Sequence, residues 1–181
     1  MGRPLFFRYA GTGKKLLANC IFLSVFIISP RPVNAQQNQD TSRVSNVTLG
    51  TGVFDIASKI YDCGMFEINY FAKKQFWIFS PFAGAIVTTV SSYYIYAGVV
   101  IPFRLAKGVY LNCSFAPGLW SRQDGPDLGY PLEFRTGAEI CYIFRNKSRL
   151  GLEFHHISNA NFSNRNPGAE NITIFFGIPL K

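Results

Sequence analysis

The chain has 181 residues, with 18 Lys+Arg against 10 Asp+Glu and a formal net charge of +8. Residues 1–35 carry Arg3, Arg8, Lys14, Lys15 and Arg31 with no acid, so they supply +5, while 13 basic and 10 acidic residues leave +3 on the rest; that small remainder argues against a nucleic-acid partner. A hydrophobic content of 48% excludes disorder, and 15% charged beside 16% aromatic residues is too little charge and too much ring for an ordinary water-soluble domain.

The first element is an export address. Four basic residues precede a mostly apolar stretch, Leu16 to Ile28, which Pro30 and Pro32 bring to an end. Val33-Asn34-Ala35 then places small residues where signal peptidase cuts, so residues 1–35 read as a cleaved secretory signal and 36–181 as one mature domain. A membrane-anchoring helix is the alternative, but thirteen residues reach only about 20 Å, short of a hydrocarbon core of roughly 30 Å.

The mature chain has poor helical periodicity. Strand-like runs fall instead at about 48–58, 64–72, 76–88, 93–104, 109–120, 132–144, 149–158 and 170–179, separated by Gly-, Pro-, Asp- and Lys-containing turns. Several are near ten residues long, the length that a tilted strand needs to cross a bilayer. Phe66, Ile68 and Tyr70 alternate with Met65, Glu67 and Asn69, and Leu132, Phe134, Thr136, Ala138 and Ile140 alternate with Glu133, Arg135, Gly137, Glu139 and Cys141. An apolar outer face and a charged inner face predict an eight-stranded antiparallel transmembrane β-barrel of the outer-membrane type, its interior filled by side chains. The competing arrangement is a soluble β-sandwich or lipocalin-like barrel with the apolar face inside. Cys63, Cys113 and Cys141 allow at most one disulfide, match no zinc spacing and read as small apolar fillers.

The last hairpin carries the chemistry. On 149–158, period two puts Leu150, Leu152, Phe154, His156 and Ser158 on one face and Arg149, Gly151, Glu153, His155 and Ile157 on the other. On 170–179, Glu170 shares a face with Ile172, Ile174, Phe176 and Ile178. The faces rich in aliphatic and aromatic residues therefore also hold a Ser, a His and a carboxylate, groups that are costly to place against lipid without a function. His156 is placed to take a proton from Ser158, and Glu170, on the neighbouring strand, to orient the imidazole. The amide-rich loop 159–169 offers donors for an oxyanion. Spacing alone fits polar residues at a membrane exit about equally well.

The run Phe154-His155-His156-Ile157-Ser158-Asn159-Ala160, with Asn166-Pro167-Gly168-Ala169-Glu170 and a terminal apolar strand, resembles the lipid A 3-O-deacylase (PagL) family of outer-membrane barrels, sharply over 150–179 and more softly at Gly50–Ile56. The family's pattern sets a Glu twelve residues after the Ser, as 158 and 170 do here. The resemblance implies an outer-membrane serine esterase acting on the 3-hydroxyacyl chain of lipid A, with Ser158 as nucleophile, His156 as base and Glu170 orienting it. Asn159 and Asn166 become oxyanion or loop-positioning candidates. It implies lipid A as the substrate; the polar set is complete for acyl transfer without a metal or organic cofactor, and the sequence leaves monomer and homodimer open. The chain departs from outer-membrane custom in ending Ile178-Pro179-Leu180-Lys181 rather than on an aromatic, which bears on insertion more than on chemistry. The rival is a non-enzymatic eight-stranded barrel with an adhesive, structural or lipid-binding role, which explains the strands but not the Ser/His/Glu set.

Overall fold

A computed structural model describes residues 44–57 and 63–180; the segment 1–35 read as an export signal lies outside them. Eight strands follow in chain order: β1 (Asn46–Phe54), β2 (Cys63–Phe71), β3 (Ser80–Thr88), β4 (Tyr93–Ala106), β5 (Val109–Ser121), β6 (Leu132–Ile143), β7 (Arg149–Ser158) and β8 (Ala169–Pro179). Each pairs antiparallel with its neighbour in sequence, and β8 returns to β1, so the sheet closes and no edge is left unpaired. Full closure satisfies every ladder without water, the condition for crossing hydrocarbon with strands.

Side-chain alternation decides which solvent the barrel meets. Leu49, Phe66, Ile68, Ile95, Leu119, Leu152 and Ile174 all point outward and are 48–63% exposed. So continuous an apolar girdle would drive aggregation in water and is what lipid requires. The soluble barrel, with the apolar face inside, is thereby excluded.

Inside, several of the polar groups pair across the lumen. The Arg135 guanidinium sits 3.0 Å from Glu67 and 2.6 Å from Glu153, with all three side chains buried. Tyr96 Oη lies 2.5 Å from Glu67 Oε1 and 2.6 Å from Asn69 Oδ1. Nearer one mouth, Arg149 pairs with Glu139 at 3.3 Å and lies 4.0 Å over the Phe71 ring. Phe54, Met65, Phe82, Ile86, Tyr94 and Trp120 fill the other half as an apolar plug. The lumen is thus packed shut, as eight strands dictate.

The two ends differ. One carries the segments 55–62, 89–92, 122–131 and 159–168, of 8, 4, 10 and 10 residues. The other carries 72–79, 107–108 and 144–148, of 8, 2 and 5. In outer-membrane barrels short turns face the periplasm and long loops the exterior.

Two boundaries move by four residues from the sequence expectation, and the others by two or fewer. β3 begins at Ser80 rather than 76, because Phe76 and Phe79 pair with each other across Trp77-Ile78 and make a hairpin tip. β1 ends at Phe54 because Asp55 turns into the left-handed region at φ 59°. β2 begins at Cys63, one residue ahead of the expected 64. All three described cysteines are free thiols.

Candidate active site

The site is assembled by the pairing of β7 with β8. The register sets His156 opposite Glu170, and β7 runs through to Ser158 without a bulge. Parity therefore holds: His155 is fully buried in the lumen, while His156 and Ser158 stand on the outer wall, two residues apart with Cα atoms about 7 Å from each other. The His156 Nδ1–Glu170 Oε1 distance is 3.2 Å, with 27% and 36% of the two side chains exposed. An Nδ1–H donated to the carboxylate leaves Nε2 as the free base of the ring.

Gly168 fixes the far side of the imidazole. Its φ is +70°, and a Cβ built there would lie 2.8 Å from His156 Cε1 and 3.5 Å from Nε2. The backbone of the loop therefore packs directly on the ring edge, which only a residue without a side chain allows.

Asn159, immediately after Ser158, is fully buried and ties the loops together. Its side-chain amide donates to Leu128 O at 2.9 Å and Arg165 O at 2.8 Å, joining segment 122–131 to segment 159–168. Its backbone N–H donates to Asn166 Oδ1 at 3.1 Å, and Asn166 Nδ2 donates to Asn161 Oδ1 at 3.0 Å. Both side-chain donors of Asn159 are thus committed to carbonyls. Ala160 and Asn161 both take positive φ, 52° and 64°, which lets the chain reverse directly above Ser158.

Two features escaped the sequence reading. Phe134 is the cross-strand partner of Ser158, and it stacks on Phe115 at 6.0 Å and meets Phe162 edge-on at 5.5 Å. Tyr130 extends this wall through Phe162 at 6.5 Å. The wall draws on four separate segments, so no local pattern announces it. Second, Arg165 and Arg122 converge on Asp127, at 3.0 and 3.6 Å, which fixes the loop 122–131 against the loop 159–168 by a second link. Among the described residues Glu67, Glu153 and His155 bring ligand atoms within 4.8 Å of one another, but the Arg135 guanidinium already supplies the cation between the two carboxylates.

The family model described as lipid A 3-O-deacylase (PagL) matches residues 61–179. The chain belongs to this family. It is accordingly a carboxylic ester hydrolase of the outer membrane, a lipid A deacylase, with lipid A as its substrate. Among solved structures it is similar to one described as the crystal structure of the outer-membrane enzyme PagL, with a TM-score of 0.60 and 17% identity over 75% of this chain and 99% of that one. It is also similar to a de novo designed transmembrane β-barrel, with a TM-score of 0.53 and 10% identity over 76% of this chain and 96% of that one. These likenesses are of fold: the designed barrel shares the architecture with no natural history in common. No curated protein matches the sequence.

Proposed function

We propose that the family's deacylation is carried out here by Ser158, His156 and Glu170 through an acyl-enzyme. Ser158 Oγ attacks the carbonyl of the ester that joins the 3-hydroxyacyl chain to the glucosamine 3-oxygen, and His156 Nε2 takes the hydroxyl proton. The tetrahedral intermediate collapses, and His156 returns the proton to the leaving sugar oxygen. Water, activated by the same imidazole, then attacks the acyl-enzyme and releases a free 3-hydroxy fatty acid. Glu170 holds the ring by Nδ1 and stabilises the imidazolium that forms. The observation that carries this reading is the His156–Glu170 pair across β7 and β8 with Ser158 on the same outward face.

The wall position suits the substrate. The acyl chain stays in hydrocarbon along Phe134, Phe115 and Phe162 while its ester meets Ser158 at the rim, so no chain has to be lifted into water at about 0.8 kcal/mol per methylene. Asn159 and Asn166 act as loop-positioning residues, since their amides brace the segment above the nucleophile. All three reacting side chains come from one chain, so the chemistry works in a monomer and in a homodimer alike. Export by the segment 1–35, with cleavage after Ala35, accounts for delivery; N-terminal sequencing of the mature barrel tests it, and a start other than Gln36 refutes it.

The chemistry is tested with Ser158→Ala. Release of the hydroxy fatty acid, read by mass spectrometry of lipid A, should fall to background while heat-modifiable migration of the barrel persists. Release at the normal rate from the Ser158→Ala protein refutes the assignment.

A further inference from the structure

The rim farthest from Ser158 carries its own device. Its described turns and strand ends expose Lys73, Lys74, Arg104, Lys107 and Arg145, with no Asp or Glu among the described residues of these turns. The described loops of the opposite rim mix signs: Asp55, Asp124 and Asp127 stand with Arg122 and Arg165. The basic residues are spread over all three short turns, so they ring the barrel rather than cluster on one side.

The turn 72–79 adds an anomaly. Phe76 N–H donates to Phe79 O at 2.8 Å and Phe79 N–H donates to Phe76 O at 3.0 Å, which closes a two-residue tip of Trp77 and Ile78. Trp77 has a φ of 57° at the first position of that tip, where such hairpins ordinarily use glycine. A bulky residue there carries backbone strain. The strained side chain is also the most exposed large apolar residue described, at 84%, with Phe76 at 55% and Ile78 at 40% beside it. Lys74 Nζ lies 4.8 Å from the Phe76 ring centroid, and Ser45 Oγ accepts from Lys73 N–H at 3.0 Å, pinning the hairpin base. The exposure is unfavourable in water and is accounted for if the tip sits at a membrane interface, where Trp is the preferred residue; the strain is then a cost of presenting Trp at the tip.

We propose that this rim is a binding surface for anionic phospholipid headgroups in the leaflet opposite the active site, with Phe76, Trp77 and Ile78 seated at the acyl–headgroup boundary and Lys73, Lys74, Arg104, Lys107 and Arg145 facing the phosphates. The proposal does not depend on which residues perform the deacylation.

Three measurements test it. In a Trp120→Phe protein, Trp77 is the one remaining tryptophan. Folded into phosphatidylcholine vesicles containing phosphatidylglycerol, its emission should shift to the blue and be quenched by lipids brominated near the headgroup; water-like emission without quenching overturns the proposal. In native mass spectrometry the unmodified barrel should retain phosphatidylglycerol over phosphatidylcholine. Lys73→Gln/Lys74→Gln should cut that preference about twenty-five-fold, at about a factor of five for each basic residue near an anionic surface, with heat-modifiable folding unchanged. An unchanged preference overturns the headgroup assignment. Trp77→Gly separates lipid binding from packing: lipid retention should fall while resistance to unfolding in detergent holds or rises, and a loss of stability in detergent would mark Trp77 as a packing residue instead.

Discussion

Gly168→Ala probes the geometry of the site without touching a reacting atom. The added methyl would lie 2.8 Å from His156 Cε1, where ordinary contact begins at 3.4 Å, so the separation must grow by about 0.6 Å. Ile157 O, 3.4 Å away on the other side, is backbone and cannot recede. The imidazole therefore moves, and both its 3.2 Å contact with Glu170 and its line to Ser158 are disturbed. Since a misplacement of about 1 Å can cost about 100-fold in rate, a shift of this size should lower kcat about 10- to 50-fold with KM little changed. The substituted residue also has to adopt positive φ, at a cost of about 1–2 kcal/mol, which Gly108→Ala shares at φ +78° in the turn at the opposite rim. Steady-state release of hydroxy fatty acid from purified lipid A, measured for both variants beside their heat-modifiable migration, separates the two effects. A Gly168→Ala enzyme with the unmodified kcat, or a Gly108→Ala enzyme impaired to the same degree, would refute the claim that Gly168 seats the imidazole.

Other changes follow from the same structure. Glu170→Gln keeps the side-chain shape but removes the charge that stabilises the imidazolium, and kcat should fall about 100-fold or more in the same release assay. Asn159→Ala removes the amide that joins Leu128 O to Arg165 O; the loops should become susceptible to limited proteolysis and activity should drop, at about 1–3 kcal/mol for each buried carbonyl left unpaired. Arg135→Ala strands Glu67 and Glu153 in the lumen and should lower unfolding free energy in denaturant by about 3–5 kcal/mol. Leu152→Arg puts a charge on the lipid-facing wall and should cost about 2–4 kcal/mol in a bilayer if it lies near the midplane, measured by the same unfolding assay in vesicles.

Much of the architecture was legible because membrane strands repeat a simple physical demand. Phe66-Glu67-Ile68-Asn69-Tyr70 alternates between lipid and lumen, and the exposed and buried positions fall out in that order. The same parity separated His156 from His155. It failed where local hydrogen bonding overrode it: Phe76 to Phe79 has strand-like residues, yet its N–H and C=O groups bond to one another and turn the chain. The pair His156–Glu170 could be anticipated from spacing, because a hairpin register carries it. The role of Gly168 against the ring, the clamp from Asn159 to Leu128, and the aromatic wall around Phe134 depend on contacts between separate loops and strands, which leave no periodic trace.

A site set on the outer wall changes the arithmetic of encounter. An enzyme with a pocket must admit its substrate, shut out water and then let the product escape, and each of those steps can limit turnover. Here the lumen is sealed by Arg135, Tyr94 and their neighbours, and Ser158 faces the very medium in which the lipid diffuses. With Ser158 as the proposed nucleophile, substrate would arrive by sliding in two dimensions, with its sugars at the rim, and the cleaved chain would depart along the same plane. Turnover then becomes a property of the leaflet: how densely lipid A packs around the barrel, and how readily a neighbour can rotate its ester toward β7, should govern the rate as much as any side chain does.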